Sequence, residues 1–177
     1  MHISEDLKEW LKDISISIIC AAVILTFIKP TIVKEHSMEN TLHENDYLFI
    51  SRQAYTLFGD VKRGDIIIFP SQLKTSGGKA KTLIKRVIAI PGDTIAIVDQ
   101  KVILNGEVLE EDYIKDGYTN TELEEMKIPA GKIFVMGDNR QNSSDSRSKS
   151  VGLVDIDSIS GKAVFRLFPF SRIGGLY

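Results

Sequence analysis

Cysteine and histidine, the residues that most often build disulfides and metal sites, are nearly absent from this chain of 177 residues. The single cysteine, Cys20, excludes an internal disulfide and the paired cysteines of a structural zinc site. The three histidines, His2, His36 and His43, are too scattered to indicate a metal cluster, although folding could bring the last two together. We therefore expect no metal and no cofactor.

An excess of positive charge is also missing. The formal net charge is −2, whereas nucleic-acid-binding domains normally carry a basic face or stripe. Lys74, Lys79 and Lys81 are close together, but they surround Gly77-Gly78 and are typical of a solvated loop. We do not expect nucleic acid as a partner, and nothing in the sequence indicates a stable oligomer.

Long apolar runs are scarce as well, because only Ile14–Ile28 lacks charged residues over such a length. It is shorter than the roughly 20 residues of a spanning helix, but the flanking apolar residues can extend it. We expect a transmembrane helix together with its exit segment over residues 14–33. A cleaved signal peptide is the alternative, disfavoured by the acidic start and the lack of a small-residue cleavage site. A buried core helix is disfavoured because the run is apolar on all faces.

The expected organisation has three parts: a short N-terminal segment (1–13), the transmembrane helix with its exit segment (14–33), and one globular domain (34–177). A composition of 43% hydrophobic and 26% charged residues suits a single core of ordinary size. The positive-inside rule does not orient the helix, because Lys8 and Lys12 precede it while Lys29 and Lys34 follow it.

The globular part favours β-structure. Runs rich in Ile, Val and Phe, bounded by turn residues, predict strands at Tyr47–Ser51, Asp65–Phe69, Thr82–Ile90, Thr94–Val98, Lys101–Leu104, Lys132–Met136 and Lys162–Phe168. Asn105-Gly106 is the favoured signal for a two-residue hairpin, so the expected fold class is mainly β with antiparallel sheets. We predict one short helix near residues 120–127, and mobile surface excursions at Ser71–Lys81 and Asp112–Lys127.

Two adjacent cations, Lys85 and Arg86, stand inside the apolar stretch "LIKRVIAI". Side chains alternate across a strand, so at least one of the two is expected to lie against an apolar surface. Burial lowers the pKa of a lysine, and a neutral lysine can take the proton of a serine hydroxyl. The alternative is an edge strand whose charges prevent aggregation.

A dense polar segment, "MGDNRQNSSDSRSKSVG", follows the strand predicted at Lys132–Met136. Asp138, Arg140, Asp145 and Arg147 can pair and hold this loop rigid, and the serines at 143, 144 and 146 offer hydroxyls to a neighbouring base. The alternative is an ordinary solvated loop.

Four blocks, in order, resemble the bacterial type I signal peptidases: "SMENTL" (37–42), "RGDIIIF" (63–69), "KRVIAIPGD" (85–93) and "GDNRQNSSDSR" (137–147). The resemblance implies an antiparallel β catalytic domain outside the membrane, a cytoplasmic N-terminus and a single-pass anchor in the bacterial cell membrane. It also implies a serine endopeptidase that removes signal peptides from exported preproteins and cuts after Ala-x-Ala-type sequences.

The resemblance also implies roles for individual residues. Ser37 would be the nucleophile and its backbone N–H an oxyanion donor, Lys85 the general base, and Ser143 the residue that orients Lys85. Structural roles are implied for Asp138, Arg140, Asp145, Arg147 and Arg86, and a substrate contact for Met38.

The chain departs from the family pattern at two positions. Asn40 stands where proline is frequent, and asparagine can also hold a turn. Glu35 stands two residues before Ser37, where many relatives have Gly or Ser, so a hydroxyl donor to the oxyanion is missing there. Three alternatives stay open: an inactive membrane-tethered β domain that binds secreted chains, a self-cleaving Ser/Lys protease, and a metal enzyme built on His36 and His43.

Overall fold

A computed structural model describes residues 5–57 and 59–176; His2 lies outside this range. The described residues form one α-helix and twelve strands. The elements are α1 (Glu5–Phe27), β1 (Ile28–Ile32), β2 (Tyr47–Ser51), β3 (Ile66–Lys74), β4 (Ala80–Ala89), β5 (Thr94–Val98), β6 (Lys101–Leu104), β7 (Glu107–Val108), β8 (Leu123–Lys127), β9 (Lys132–Met136), β10 (Val154–Asp155), β11 (Gly161–Phe168) and β12 (Gly174–Gly175). Single 3-10 turns lie at Arg140–Asn142, Ile156–Ser158 and Phe170–Arg172.

The N-terminal helix differs from the predicted one at both ends. Within the described residues it begins at Glu5, and Glu5 and Asp6 place negative charge in its first turn, where the helix dipole favours it. It ends at Phe27, and residues 28–32, which lie within the range predicted for the transmembrane helix and its exit segment, form β1. Pro30 disfavours helical geometry there, and β1 pairs with β2. Among the described residues, no helix combines the length and the hydropathy needed to cross a membrane.

Two antiparallel sheets make up the rest. The larger has the order β1-β2-β11-β3-β4-β9-β10, with β12 beside β11, and the smaller has the order β7-β6-β5-β8. The predicted antiparallel, mainly β class is therefore confirmed. Asn105 and Gly106 turn between β6 and β7 with φ of 54° and 84°, the left-handed values that a tight hairpin requires.

Strand β4 lies inside the larger sheet, between β3 and β9. Its second half is buried, and the exposed fractions of Lys85 and Arg86 are only 1% and 2%. The alternative of a charged edge strand is therefore wrong, because β4 has a hydrogen-bonded neighbour on each side.

One helix prediction and one loop prediction are also wrong. The helix near residues 120–127 is strand β8, which pairs with β5 through Thr94–Lys127 and Ile95–Met126. Helix-forming residues are overruled there because Leu123 and Met126 pack on the core of the smaller sheet. Residues 71–81 are largely strand, since β3 continues to Lys74 and β4 starts at Ala80.

Candidate active site

The fold brings Ser37 and Lys85 together across 48 residues of sequence. Lys85 Nζ donates a hydrogen bond to Ser37 Oγ at 2.7 Å and another to the carbonyl of Ile84 at 2.9 Å. Ser37 lies in the turn after β1 and is 9% exposed, whereas Lys85 projects from the buried half of β4. A hydroxyl and an amine in this contact are the components of a serine nucleophile with its base.

The protonation of Lys85 is strongly perturbed. Burial disfavours the ammonium form and lowers its pKa from 10.5 to about 8, although the carboxylates of Asp145 and Glu35 oppose this shift. An appreciable fraction of the amine is therefore neutral near physiological pH and able to accept the hydroxyl proton of Ser37.

The main chain around Ser37 is held by the segment that follows β9. Asn139 donates its backbone N–H to the carbonyl of Ser37 at 3.1 Å and its side-chain Nδ2 to the carbonyl of His36 at 3.0 Å. Gly137 is needed beside them, because a Cβ there would lie 2.3 Å from both Ser37 O and Ser143 Oγ. No role was predicted for Asn139 or Gly137 from the sequence, although both lie in the "GDNR" block.

Asp145 and Arg147 form the predicted pair. The buried Asp145 carboxylate accepts Nε and Nη2 of Arg147, each at 2.8 Å, and the backbone N–H of Gly137 at 3.0 Å. Burial raises the pKa of Asp145, but the hydrogen bonds and charge of Arg147 outweigh it, and the net shift is downward. This carboxylate therefore links the polar loop to the end of β9.

Asp138 and Arg140, the other two residues that were predicted to hold the polar segment rigid, form ion pairs with residues outside it. Asp138 accepts Nε and Nη2 of Arg86 at 2.9 and 2.8 Å, and Thr41 also donates to it. Arg140 binds Glu111 through Nη1 at 2.8 Å and Nη2 at 2.5 Å. Neither Thr41 nor Glu111 was singled out from the sequence, because such long-range partners leave no local pattern.

The segment Asp112–Lys127, predicted as a mobile surface excursion, contacts this network of ion pairs. The ring of Tyr113 lies 4.1 Å from the guanidinium carbon of Arg86, close enough for a cation–π contact. Thr119 is buried and accepts a hydrogen bond from Arg140 at 2.8 Å. These contacts tie the excursion to the site.

Ser143 lies close to the dyad. Its Oγ is buried next to Gly137, and the main-chain carbonyl of Ser37 faces the same side of that glycine. The two hydrogen bonds of Lys85 described above go to Ser37 and Ile84, so the orientation of Lys85 by Ser143 stays a prediction.

The two positions that depart from the family pattern have defined places. Glu35 is directed to Lys81 on β4, with Oε1 and Nζ 2.6 Å apart. Asn40 lies in a turn that is closed by a 2.7 Å hydrogen bond from Leu42 N to Met38 O. The asparagine is therefore compatible with a turn at this position.

A cleft opens beside Ser37. Its larger recess, of about 450 Å³, has an apolar wall formed by Val33, Met38, Ile68 and Ile84. A smaller recess of about 270 Å³ is polar and includes His36, Asn142 and Ser144. Ser37 lines both recesses, so an extended peptide in the cleft would pass the dyad.

His36 contacts a carboxylate that is also bound by a lysine. His36 Nδ1 lies 2.7 Å from Glu39 Oε1, and Lys115 contacts the other oxygen of that carboxylate. Over residues 5–57 and 59–176, no group of three His, Cys, Asp or Glu side chains is placed to hold a metal ion.

The model of the family described as signal peptidase, peptidase S26 matches residues 7–168. The chain belongs to this family. Signal peptidase I of Bacillus licheniformis is 36% identical over 177 residues, covering 94% of this chain and 91% of that protein. Signal peptidase I T of Bacillus subtilis is 36% identical over 93% of this chain and 87% of its own length.

Two further proteins match the chain. Signal peptidase I of Leptolyngbya laminosa is 38% identical over 96% of this chain and 84% of its own length. The crystal structure of a signal peptidase I from Enterococcus faecalis matches with a TM-score of 0.47 and 31% identity, covering 58% of this chain and 96% of that one. The resemblance identified from the four motifs is confirmed. As a signal peptidase family member, the chain is a serine endopeptidase that removes signal peptides from secreted preproteins.

Proposed function

We propose that cleavage proceeds through an acyl-enzyme, with Ser37 as nucleophile and Lys85 as general base. The observation that carries this proposal is the 2.7 Å hydrogen bond between Lys85 Nζ and Ser37 Oγ, with the lysine buried and its pKa lowered to about 8. A buried lysine with a lowered pKa that is hydrogen-bonded to a serine hydroxyl is the arrangement that activates a serine as a nucleophile.

In the first half-reaction, neutral Lys85 takes the hydroxyl proton as Ser37 Oγ attacks the scissile carbonyl carbon. The backbone N–H of Ser37 donates to the oxyanion that develops on the carbonyl oxygen. The carbon–nitrogen bond then breaks, and the lysine ammonium gives its proton to the leaving amine. The mature chain departs, and the signal peptide stays esterified to Ser37.

In the second half-reaction, Lys85 is neutral again and takes a proton from an attacking water. The ester bond breaks, Lys85 returns its proton to Ser37 Oγ, and the carboxylic acid of the released signal peptide loses its proton to solvent. Ser143 orients the amine of Lys85, and Asp145 with Arg147 fixes the loop that carries Ser143.

The substrate binds as an extended strand in the cleft, with small residues one and three positions before the cut. Met38 and Ile84 bound the apolar recess next to Ser37, which suits small apolar side chains. Pairing of an extended peptide with exposed backbone is a common mode of peptide recognition.

The same proposal attaches α1 to the bacterial cell membrane, with the N-terminus cytoplasmic and the β domain outside. Residues 14–27 of α1 carry no charge, and apolar side chains such as Ile18, Ile19 and Val23 are exposed. Fourteen helical residues extend about 21 Å, less than the roughly 30 Å of a bilayer core, and local thinning of the bilayer or snorkelling of flanking charged side chains accommodates such a mismatch.

The test is cleavage of a preprotein with an Ala-x-Ala site by the full chain in detergent, compared with Ser37→Ala. We expect the wild-type protein to release the mature chain and to be labelled covalently by a β-lactam-like or lipopeptide acylating inhibitor. Ser37→Ala should show neither. A folded wild-type protein that binds the preprotein without cleavage or labelling would support the inactive binder instead.

The rate should depend on pH through Lys85. Because only the neutral amine can act as base, kcat/KM is expected to rise about tenfold per pH unit below pH 8 and to level off above it. The measurement is kcat/KM from pH 5.5 to 10 at constant ionic strength. A profile that is flat from pH 6 to 9 would contradict the role of Lys85.

A further inference from the structure

An ion pair joins the two elements that carry the dyad. Glu35 lies two residues before Ser37, Lys81 lies four residues before Lys85 on β4, and the two side chains meet at 2.6 Å. Neither residue belongs to the proposed catalytic pair, and no role was expected for Lys81 from the sequence. The pair thus connects the nucleophile segment to the strand of the base.

The position of this pair in the cleft is specific. Glu35 and Lys81 line the larger apolar recess and also the smaller polar recess, as Ser37 does. They therefore stand at the boundary between the two recesses, where the scissile bond of a bound peptide has to lie. Their side chains are only partly exposed, at 44% and 35%.

A free carboxylate at this place would oppose catalysis. The transition state of acyl transfer carries negative charge on the carbonyl oxygen, and nearby negative charge destabilises it. A carboxylate next to Lys85 also favours its ammonium form, which cannot act as base. The Lys81 ammonium counters both effects, because it binds the carboxylate and adds a compensating positive charge.

We propose that Lys81 is a positioning residue, which holds the Glu35 carboxylate away from the reacting carbonyl and neutralises it at the boundary of the two recesses. This inference rests on the proposed Ser37/Lys85 mechanism and deepens it. Lys81 does not touch the reacting atoms, and it acts through Glu35 and through the field at Lys85.

Four charged side chains dominate the electrostatic environment of Lys85. Asp145 and Asp138, from the end of β9 and the loop beyond it, raise its pKa, as does Glu35; Lys81 lowers it. Removing Lys81 or Glu35 changes this balance in opposite directions. A purely structural role of the pair would predict no such opposition.

The experiment measures pH profiles of kcat/KM for Lys81→Met, Glu35→Gln and the double variant, at low ionic strength. Lys81→Met should move the acidic limb upward by about half a pH unit or more and lower kcat at pH 7 about 5- to 50-fold. Glu35→Gln should move the limb downward by about half a unit, because Lys81 then acts on Lys85 without its partner. The double variant should return to within about 0.3 units of the wild type.

Two controls complete the design. Lys74→Met removes an exposed lysine from β3, the other strand of the same hairpin, and should leave the limb and kcat unchanged. The shift in Lys81→Met should shrink in about 1 M salt, because a partly exposed charge is screened.

The inference is overturned if the single variants leave the limb in place, if both move it in the same direction, or if the double variant fails to restore it. These outcomes differ from a failure of the proposed mechanism, in which the wild-type protein would not cleave or Ser37→Ala would remain active. An active wild type with an inactive Ser37→Ala and unchanged Lys81→Met profiles would refute only the role of Lys81.

Discussion

Lys85→Met is expected to abolish cleavage and to make the folded protein more stable. Methionine is close to lysine in length and lacks the amine, so the side chain still fills the buried space on β4. Without a base, the Ser37 hydroxyl keeps its proton, and kcat/KM should fall by at least about 10⁴-fold. The measurement is single-turnover cleavage of the preprotein.

The stability gain follows from the lowered pKa of Lys85. A fall from 10.5 to about 8 means that burial opposes protonation by about 3 kcal/mol, a cost that the folded state carries at pH 7. Methionine removes this cost but leaves the Ile84 carbonyl and the Ser37 hydroxyl without a donor. We therefore expect a net gain of about 1–2 kcal/mol in the free energy of unfolding.

The stability difference between Lys85→Met and the wild-type protein depends on pH. Between pH 8 and 10.5 the unfolded lysine holds a proton that the folded one has lost, so the wild-type protein gains stability with rising pH. The advantage of Lys85→Met is therefore complete below pH 8 and disappears above about pH 10.5. Denaturant unfolding at pH 7 and pH 10.5 measures it, with Ser37→Ala as an inactive control that keeps the lysine. Lower stability of Lys85→Met than of wild type at pH 7 would contradict the desolvation argument.

Local patterns predicted most of the strands. Tyr47–Ser51, Thr94–Val98, Lys101–Leu104 and Lys132–Met136 agree with the structure residue for residue. Their sequences are rich in β-branched and aromatic residues, and that information is local. Strand β8 was missed because Glu, Leu, Met and Lys favour a helix in isolation, and only pairing with β5 decides otherwise.

The candidate site was less predictable from the residues themselves. The apolar residues around Lys85 and Arg86 predicted that at least one of the two lies against an apolar surface, but the contact of Lys85 with Ser37 joins parts of the chain 48 residues apart. The assignment of the dyad therefore depended on the family resemblance. The partners of the buried arginines followed from neither source, since Arg86 and Asp138 are 52 residues apart and Arg140 and Glu111 are 29 residues apart.

Asp138→Ala is expected to lower the free energy of unfolding by about 3–5 kcal/mol, because it removes one partner of a buried ion pair. Asp138 is completely buried and Arg86 is 2% exposed, so water cannot replace the carboxylate. The guanidinium loses two hydrogen bonds of 2.9 and 2.8 Å together with its neutralising charge. Denaturant unfolding of the purified protein in detergent measures the loss.

Activity should fall with stability in this variant, even where the protein is folded. Asp138 accepts the hydroxyl of Thr41, which lies in the turn after Ser37, and the next residue, Asn139, holds the Ser37 carbonyl. Loss of the carboxylate therefore weakens the two contacts that position Ser37, one through Thr41 and one through Asn139. We expect kcat to fall about 10²-fold at a temperature well below the unfolding midpoint, because small displacements of reacting groups have large effects on rate.

Two comparisons separate the buried pair from ion pairs in general. Asp155→Ala breaks an ion pair with Lys132 in which the aspartate side chain is 61% exposed, and it should change stability by less than about 1 kcal/mol. The double variant Arg86→Met with Asp138→Leu should be more stable than Asp138→Ala, because no charge is then left buried. Equal losses in Asp138→Ala and Asp155→Ala would show that the pair under the site is no stronger than a surface contact. A double variant that restores stability but not cleavage would show that the pair is retained for the geometry at Ser37, since its contribution to folding can be replaced by apolar packing.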